Sequence, residues 1–236
     1  MKGIRTFIAV KPGLAVLRQV SEAQRELRAR CIAAGWDIRW IAPPGLHVVL
    51  RYLGEICPEL ASPIKDVLLP RVSAFSPFPV RAAGFRCLEA EPGKQTVHVD
   101  VHDVSGELAR LRAELDVQLD EMGFVRFDPD VGAGLVVGRV KAPGAVPLED
   151  LLAPARDLDF GEGLIRDLVM YRSDRGRPGE ELGRLWRIGL RGCAHTGEAG
   201  AAHDDVLEVE EQVTPIPEDL EAECVVTIEP DVEDEE

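Results

Sequence analysis

The sequence predicts an α+β domain, on two observations. Short β-rich runs alternate with amphipathic helical stretches, and a unit of one helix followed by strands occurs twice along the chain. With 236 residues, 45% of them hydrophobic, the chain is long enough for one well-buried domain, and a second large one is not required.

Arg5 to Val10 is a short strand closed by Lys11, Pro12 and Gly13. Leu14, Leu17, Val20, Leu27 and Cys31 then recur at helical spacing through a polar stretch that Gly35 ends. Asp37 to Trp40 alternates polar with apolar residues. Pro43, Pro44 and Gly45 make a turn, and Leu46 to Leu53 follows, so the region reads as a strand pair or a strand, turn, strand unit. Leu60 to Val72 is predicted as a second helix, with Pro63 near its start where proline is tolerated. Phe78 to Leu88 and Gln95 to His102 read as strands around a Pro-Gly turn. Gly106 to Met122 places Leu108, Leu111, Leu115 and Leu119 on one helical face, and Gly134 to Val140 is the next strand. Leu148 to Ala155 reads as a short helix. Gly163 to Tyr171 and Leu185 to Leu190 read as two closing strands around a turn-rich segment.

The formal charge of -15 is concentrated at one end. Gly192 to Glu236 holds 16 of the 42 acidic residues and no Lys or Arg, which leaves 27 basic and 26 acidic residues in Met1 to Arg191. The expected organisation is therefore a folded domain over 1–191 and a disordered acidic tail over 192–236, whose few large apolar groups cannot offset the entropy of ordering. A near-neutral body lacks the broad basic field of a protein that grips long duplexes, whereas a small anion held locally is compatible with it. The five cysteines are scattered and form no metal-ligand spacing, as expected of reduced thiols in the cytoplasm. No apolar run reaches the length of a membrane span. Neither a P-loop nor a dinucleotide fingerprint occurs, so no cofactor is expected.

Trp40 to Glu55, WIAPPGLHVVLRYLGE, closely resembles the first signature of the RNA 2',3'-cyclic phosphodiesterases, also called 2'-5' RNA ligases, of the two-histidine phosphoesterase superfamily. The resemblance extends to RTFIAV at the start, PFPVRAAGF at 77–85, LVVGRV at 135–140 and LVMYRS at 168–173. It implies two pseudo-symmetric lobes of antiparallel sheet with helices packed outside, around a central cleft. Each lobe of the family presents a His-x-Thr motif. One histidine activates water, the other protonates the leaving ribose oxygen, and the hydroxyls hold phosphate oxygens. The family hydrolyses 2',3'-cyclic phosphate RNA ends to 2'-phosphates.

On this resemblance His47 is the catalytic histidine of the first motif, but Val49 stands at its threonine. Aligning the second motif on LVVGRV puts Gly134 at the histidine and Val136 at the threonine, while anchoring on Phe127-Asp128-Pro129 puts Asp130 in the histidine slot. Neither alignment recovers a histidine. Losing a general acid or base costs about 10² to 10⁴ in rate, so weak or absent turnover is expected. Arg139 and Arg51 are candidate phosphate ligands or surface ion-pair partners, and Tyr52 is a candidate substrate contact. Trp40 and Phe85 read as core. His98 and His102 share a strand face with Asp100 between them, yet no third ligand of clear spacing completes a metal site.

Three readings follow. The first is a degenerate, monomeric family member that binds an RNA end or a small nucleotide through its phosphate. The second is an active hydrolase in which Asp130 or His98 takes the missing acid or base role. The third is a protein-interaction scaffold whose acidic tail contacts a basic partner.

Overall fold

The computed structural model describes residues 3–91, 93–103, 105–124, 134–173 and 182–192. Asp130, the Phe127-Asp128-Pro129 anchor and all of the acidic tail after Gly192 lie outside the described residues.

Nine strands are described, β1 (Ile4–Val10), β2 (Asp37–Trp40), β3 (Val48–Ile56), β4 (Phe78–Glu91), β5 (Lys94–His102), β6 (Gly134–Ala142), β7 (Asp159–Ile165), β8 (Asp167–Ser173) and β9 (Gly183–Gly189). Four helices accompany them, α1 (Leu14–Ala33), α2 (Ala61–Val72), α3 (Glu107–Glu121) and α4 (Leu148–Leu152), the last continued by a 3-10 turn over Ala153–Ala155. The strands make one antiparallel sheet in the order β7-β4-β5-β6-β3-β1-β8-β9, and β2 also pairs with β6.

The sheet divides into two lobes where β3 and β6 meet. They share a single residue pair, Val48 opposite Leu135, before β6 continues against β2 instead. Helices α1 and α4 pack on the β2, β4 and β7 side, and α2 and α3 pack on the β3 and β9 side. Each long helix thus covers the lobe opposite to the strand it follows: α1 leaves β1 and crosses to β7, and α3 leaves β5 and crosses to β3. This exchange makes the two halves mutually dependent.

Apolar periodicity explains the helical packing. In α1 the buried positions are Val16, Leu17, Val20, Gln24, Leu27 and Cys31, a single stripe. Gln24 is polar within it, yet its amide donates to the carbonyls of Ile41 (2.9 Å) and Val137 (3.1 Å), so it fastens the end of β2 to β6. In α3 the stripe is Leu108, Leu111, Leu115 and Leu119. Gly138 leaves room for the Trp40 ring, since a Cβ there would lie 2.9 Å from Ile38 Cγ2 and 3.2 Å from Trp40 Cε3. Trp40 packs against the main core and Phe85 is fully buried in it.

One reading of the sequence is corrected. The predicted strand over Gly163 to Tyr171 is two strands, β7 and β8, on opposite halves of the sheet: β7 pairs with β4 and β8 with β1. Arg166 separates them, and a continuous β-rich run carried no turn residue to mark the crossing. Of the two alternatives for the region around Pro43–Gly45, the strand, turn, strand unit forms: β2 and β3 each pair with β6 rather than with each other.

Candidate active site

Each strand has a helix-covered face and an open one, and the burial pattern tells them apart. Ile8 and Val10 of β1 belong to the main core, whereas Phe7 and Ala9 join Val169 and Tyr171 of β8 in a separate small cluster, with Val49 packed against it. On β6, Leu135 and Val137 enter the main core, so Gly134 and Val136 face the other way. On β5, Val97, Val99 and Val101 do the same, leaving Thr96, His98 and Asp100 on the open face.

The pair Val48 and Leu135 consists of the middle residues of the two motif positions. Because the strands are antiparallel, His47 stands across from Val136 and Val49 across from Gly134. On the alignment through LVVGRV, these four positions are where two facing His-x-Thr motifs would stand, with His47 the one histidine among them. On that alignment Gly134 stands at the second histidine's position, while Asp130, the other candidate, lies outside the described residues.

The His47 ring packs against two aromatic rings that also touch each other, 4.8 Å from Phe7 at 16° and 5.6 Å from Tyr171 at 26°. Burial pushes its imidazole down from 6.5 to about 4, and the charges of Lys11 and Arg139 push in the same direction. The Gly45 carbonyl pulls weakly the other way, without a bond of normal geometry to Nδ1. His47 is neutral at pH 7, the state of a proton acceptor. The unfolded chain binds this proton near pH 6.5 and the folded one only near 4, so stability must fall as pH drops through that window and level off below it. A His47→Phe variant keeps the stacking and removes the titration. It is expected to lose, between pH 7 and 4, a fall in unfolding free energy on the order of 2–3 kcal/mol that the parent shows in urea titrations. Parallel pH profiles for the two proteins would contradict this.

Lys11 donates to the Pro44 carbonyl (2.9 Å) and lies 5.9 Å from the Tyr171 ring centroid, which holds a positive charge at the rim beside His47. Arg139 is exposed and sits opposite Thr96 on β5 and Arg39 on β2. Its charge acts on both His47 and His98, which places it electrostatically between the two lobes. Tyr52 is 41% exposed, and its ring is 5.9 Å from that of Phe7 on the open face.

Arg51 is corrected. It is fully buried and turned toward α3, where Nη1 donates to Asp116 Oδ1 (2.7 Å) and Nη2 to Asp120 Oδ1 (2.6 Å) and the Phe124 carbonyl (2.9 Å). It cannot contact a ligand in the cleft. The cause is an irregularity in the β1–β3 pairing: Ala9 faces Val49 but Ile8 faces Arg51, so Leu50 is an extra residue and the alternation from His47 changes parity beyond it.

His98 was legible only as half of an HVDVH pattern. It is 7% exposed, and cross-strand from Val136. Thr96 Oγ1 lies 2.6 Å from its Nε2. Among the described residues no group of three or more His, Cys, Asp or Glu is placed to hold a metal ion, and no helix is long and apolar enough to cross a membrane. A cavity of about 400 Å³ lies beside the motif rather than around it, between Val49, Leu50, Val101, Leu108, Arg112 and Asp116.

No family model matches the chain. It is 29% identical over 170 residues to an RNA 2',3'-cyclic phosphodiesterase of Archaeoglobus fulgidus, a match covering 72% of this chain and 91% of the relative. A second protein of that name, from Thermotoga maritima, is 29% identical over 138 residues, covering 58% of this chain and 71% of its own. Among solved structures, TT0787 of Thermus thermophilus aligns with a TM-score of 0.64 at 22% identity, over 80% of this chain and 99% of that one. E. coli LigT complexed with 3'-AMP aligns with a TM-score of 0.63 at 17% identity, over the same shares. The chain is thus similar in sequence to RNA 2',3'-cyclic phosphodiesterases over most of the length of those relatives, and it shares the fold of TT0787 and LigT.

Proposed function

We propose that the chain binds the phosphate of a 2',3'-cyclic RNA end or of a small nucleotide in the cleft between its lobes, and turns it over far more slowly than an intact two-motif site. What supports this reading is that His47 and the charge of Arg139 lie together at the β3–β6 junction, with Val49, Gly134 and Val136 at the places the LVVGRV alignment gives the other three motif residues. Arg139 supplies charge for the phosphate, and Tyr52 offers an exposed ring against which a base can stack. Three apolar or absent side chains remove the hydroxyls and the second motif imidazole, and with them about 10² or more in rate. E. coli LigT has been crystallised with 3'-AMP, with ATP and with phosphate, which supports a nucleotide phosphate as ligand here.

The test is calorimetric titration with adenosine 2',3'-cyclic phosphate, with hydrolysis followed on the same samples. Binding is expected in the parent, weakened about tenfold or more in Arg139→Ala, which corresponds to about 1.4 kcal/mol. A parent protein that shows no binding at millimolar ligand, or an Arg139→Ala variant with unchanged affinity, would overturn the reading.

A further inference from the structure

Strand β5 carries a threonine and a histidine two residues apart, in the order Thr96-Val97-His98. The order is the reverse of His-x-Thr, but β5 runs antiparallel to β6, so in space the histidine and threonine follow each other in the sense of the missing second motif. The register places Asp100 across from Gly134, His98 across from Val136 and Thr96 across from Arg139. His47 stands across from Val136 on the other side. The two imidazoles therefore flank β6 on its open face, their backbones two strand spacings apart, about 10 Å.

The hydrogen bonds around His98 give its ring a direction. Thr96 Oγ1 lies 3.2 Å from the Leu88 carbonyl and 2.6 Å from His98 Nε2. A carbonyl only accepts, so the hydroxyl donates its proton to Leu88 and accepts from Nε2–H of His98. That leaves Nδ1 as the ring nitrogen available to a ligand. Burial lowers the His98 imidazole below its ordinary value, against the pull of Asp100, which is ion-paired with Arg86, and with a further push down from Arg139. His47 has no such carboxylate and is pushed down to about 4.

Resting on the cyclic-phosphate reading of the cleft, we propose that His98, oriented by Thr96, is the second proton-transfer residue of this site and replaces the histidine that the second motif lacks. In the step, the oxygen of one water bonds to phosphorus while its proton passes to His47. The bond from phosphorus to the ribose 3'-oxygen breaks, and that oxygen takes the proton from His98. The products are a 2'-phosphate and a free 3'-hydroxyl. One water is consumed, and the rings exchange the transferred proton with solvent before the next turnover. The negative charge of the bound phosphate favours the imidazolium form that His98 needs.

The experiment measures hydrolysis of adenosine 2',3'-cyclic phosphate by the full chain, His98→Asn, Thr96→Val and His47→Ala, with calorimetric binding of the same nucleotide and circular dichroism on each. The expected result is a loss of about 10² or more in kcat for His98→Asn and for His47→Ala, with the Kd of His98→Asn within about threefold of the parent. Thr96→Val keeps the imidazole and loses its orientation, so about a tenfold loss in kcat is expected of it, which tests the assignment even should His98→Asn fold poorly. Equal turnover in His98→Asn and parent overturns the proposal. So does a parent that binds the nucleotide without any hydrolysis, an outcome that leaves phosphate binding by the cleft standing. A parent that neither binds nor hydrolyses overturns both.

Discussion

The combined variant Val49→Thr, Gly134→His, Val136→Thr is expected to raise kcat/KM for a nucleoside 2',3'-cyclic phosphate by about 10² to 10⁴. The argument rests on register. Val48 faces Leu135, so the four places that the LVVGRV alignment gives the motif side chains stand in two facing pairs on the open face, His47 with Val136 and Val49 with Gly134. Gly134 lies in a regular strand and is not among the glycines with positive φ, so an imidazole fits its backbone. Val49 and Val136 are only half-buried, and a hydroxyl there meets the cleft rather than the core. Adding His47→Ala to the combined variant should return activity to the baseline. Adding His98→Asn should then cost little, because the acid role has passed to the strand where the family places it. A combined variant that folds and shows no gain would mean that the cleft has changed shape and not only its side chains.

How much of this was legible in the sequence depends on the range over which each feature is decided. Helices α1 and α3 could be read directly, since their leucine, valine and cysteine stripes are local and periodic. The open-face role of His47 came from a long matching segment rather than from any local property of a histidine. Arg51 was misread for a local reason with a non-local cause: strict alternation puts residues 47, 49 and 51 on one face, and only the β1–β3 pairing shows that Leu50 is an extra residue. His98 could be placed on the face of Asp100 and His102, but nothing in its neighbourhood says that Val136, 38 residues further along, lies across from it. The crossing at Arg166 was hidden because β7 and β8 are two β-rich strands in succession, and the decision to send them to opposite halves of the sheet belongs to β4 and β1.

Arg51 itself is expected to be the most destabilising single truncation in the β3 lobe. Its guanidinium is fully buried, and it joins β3 to the last turns of α3 through Asp116, Asp120 and the carbonyl of Phe124, just beyond the helix end. Helix α3 has no basic residue in its last turn, so this cation from another strand also faces the negative end of the helix. Removing it in Arg51→Met leaves Asp116, whose side chain is 17% exposed, without its nearest positive charge. Asp120 is 57% exposed and can turn to water, which lowers the loss. An unfolding free energy lower by about 2–4 kcal/mol, read from the urea midpoint at unchanged slope, is expected on balance. Pairing the change with Asp116→Leu should recover part of it, since the carboxylate that Arg51 neutralised is then removed as well. The same Arg51→Met protein, where folded, should bind a cyclic nucleotide with the affinity of the parent. A loss of affinity without a loss of stability would return Arg51 to the cleft, and the parity change at Leu50 would be wrong.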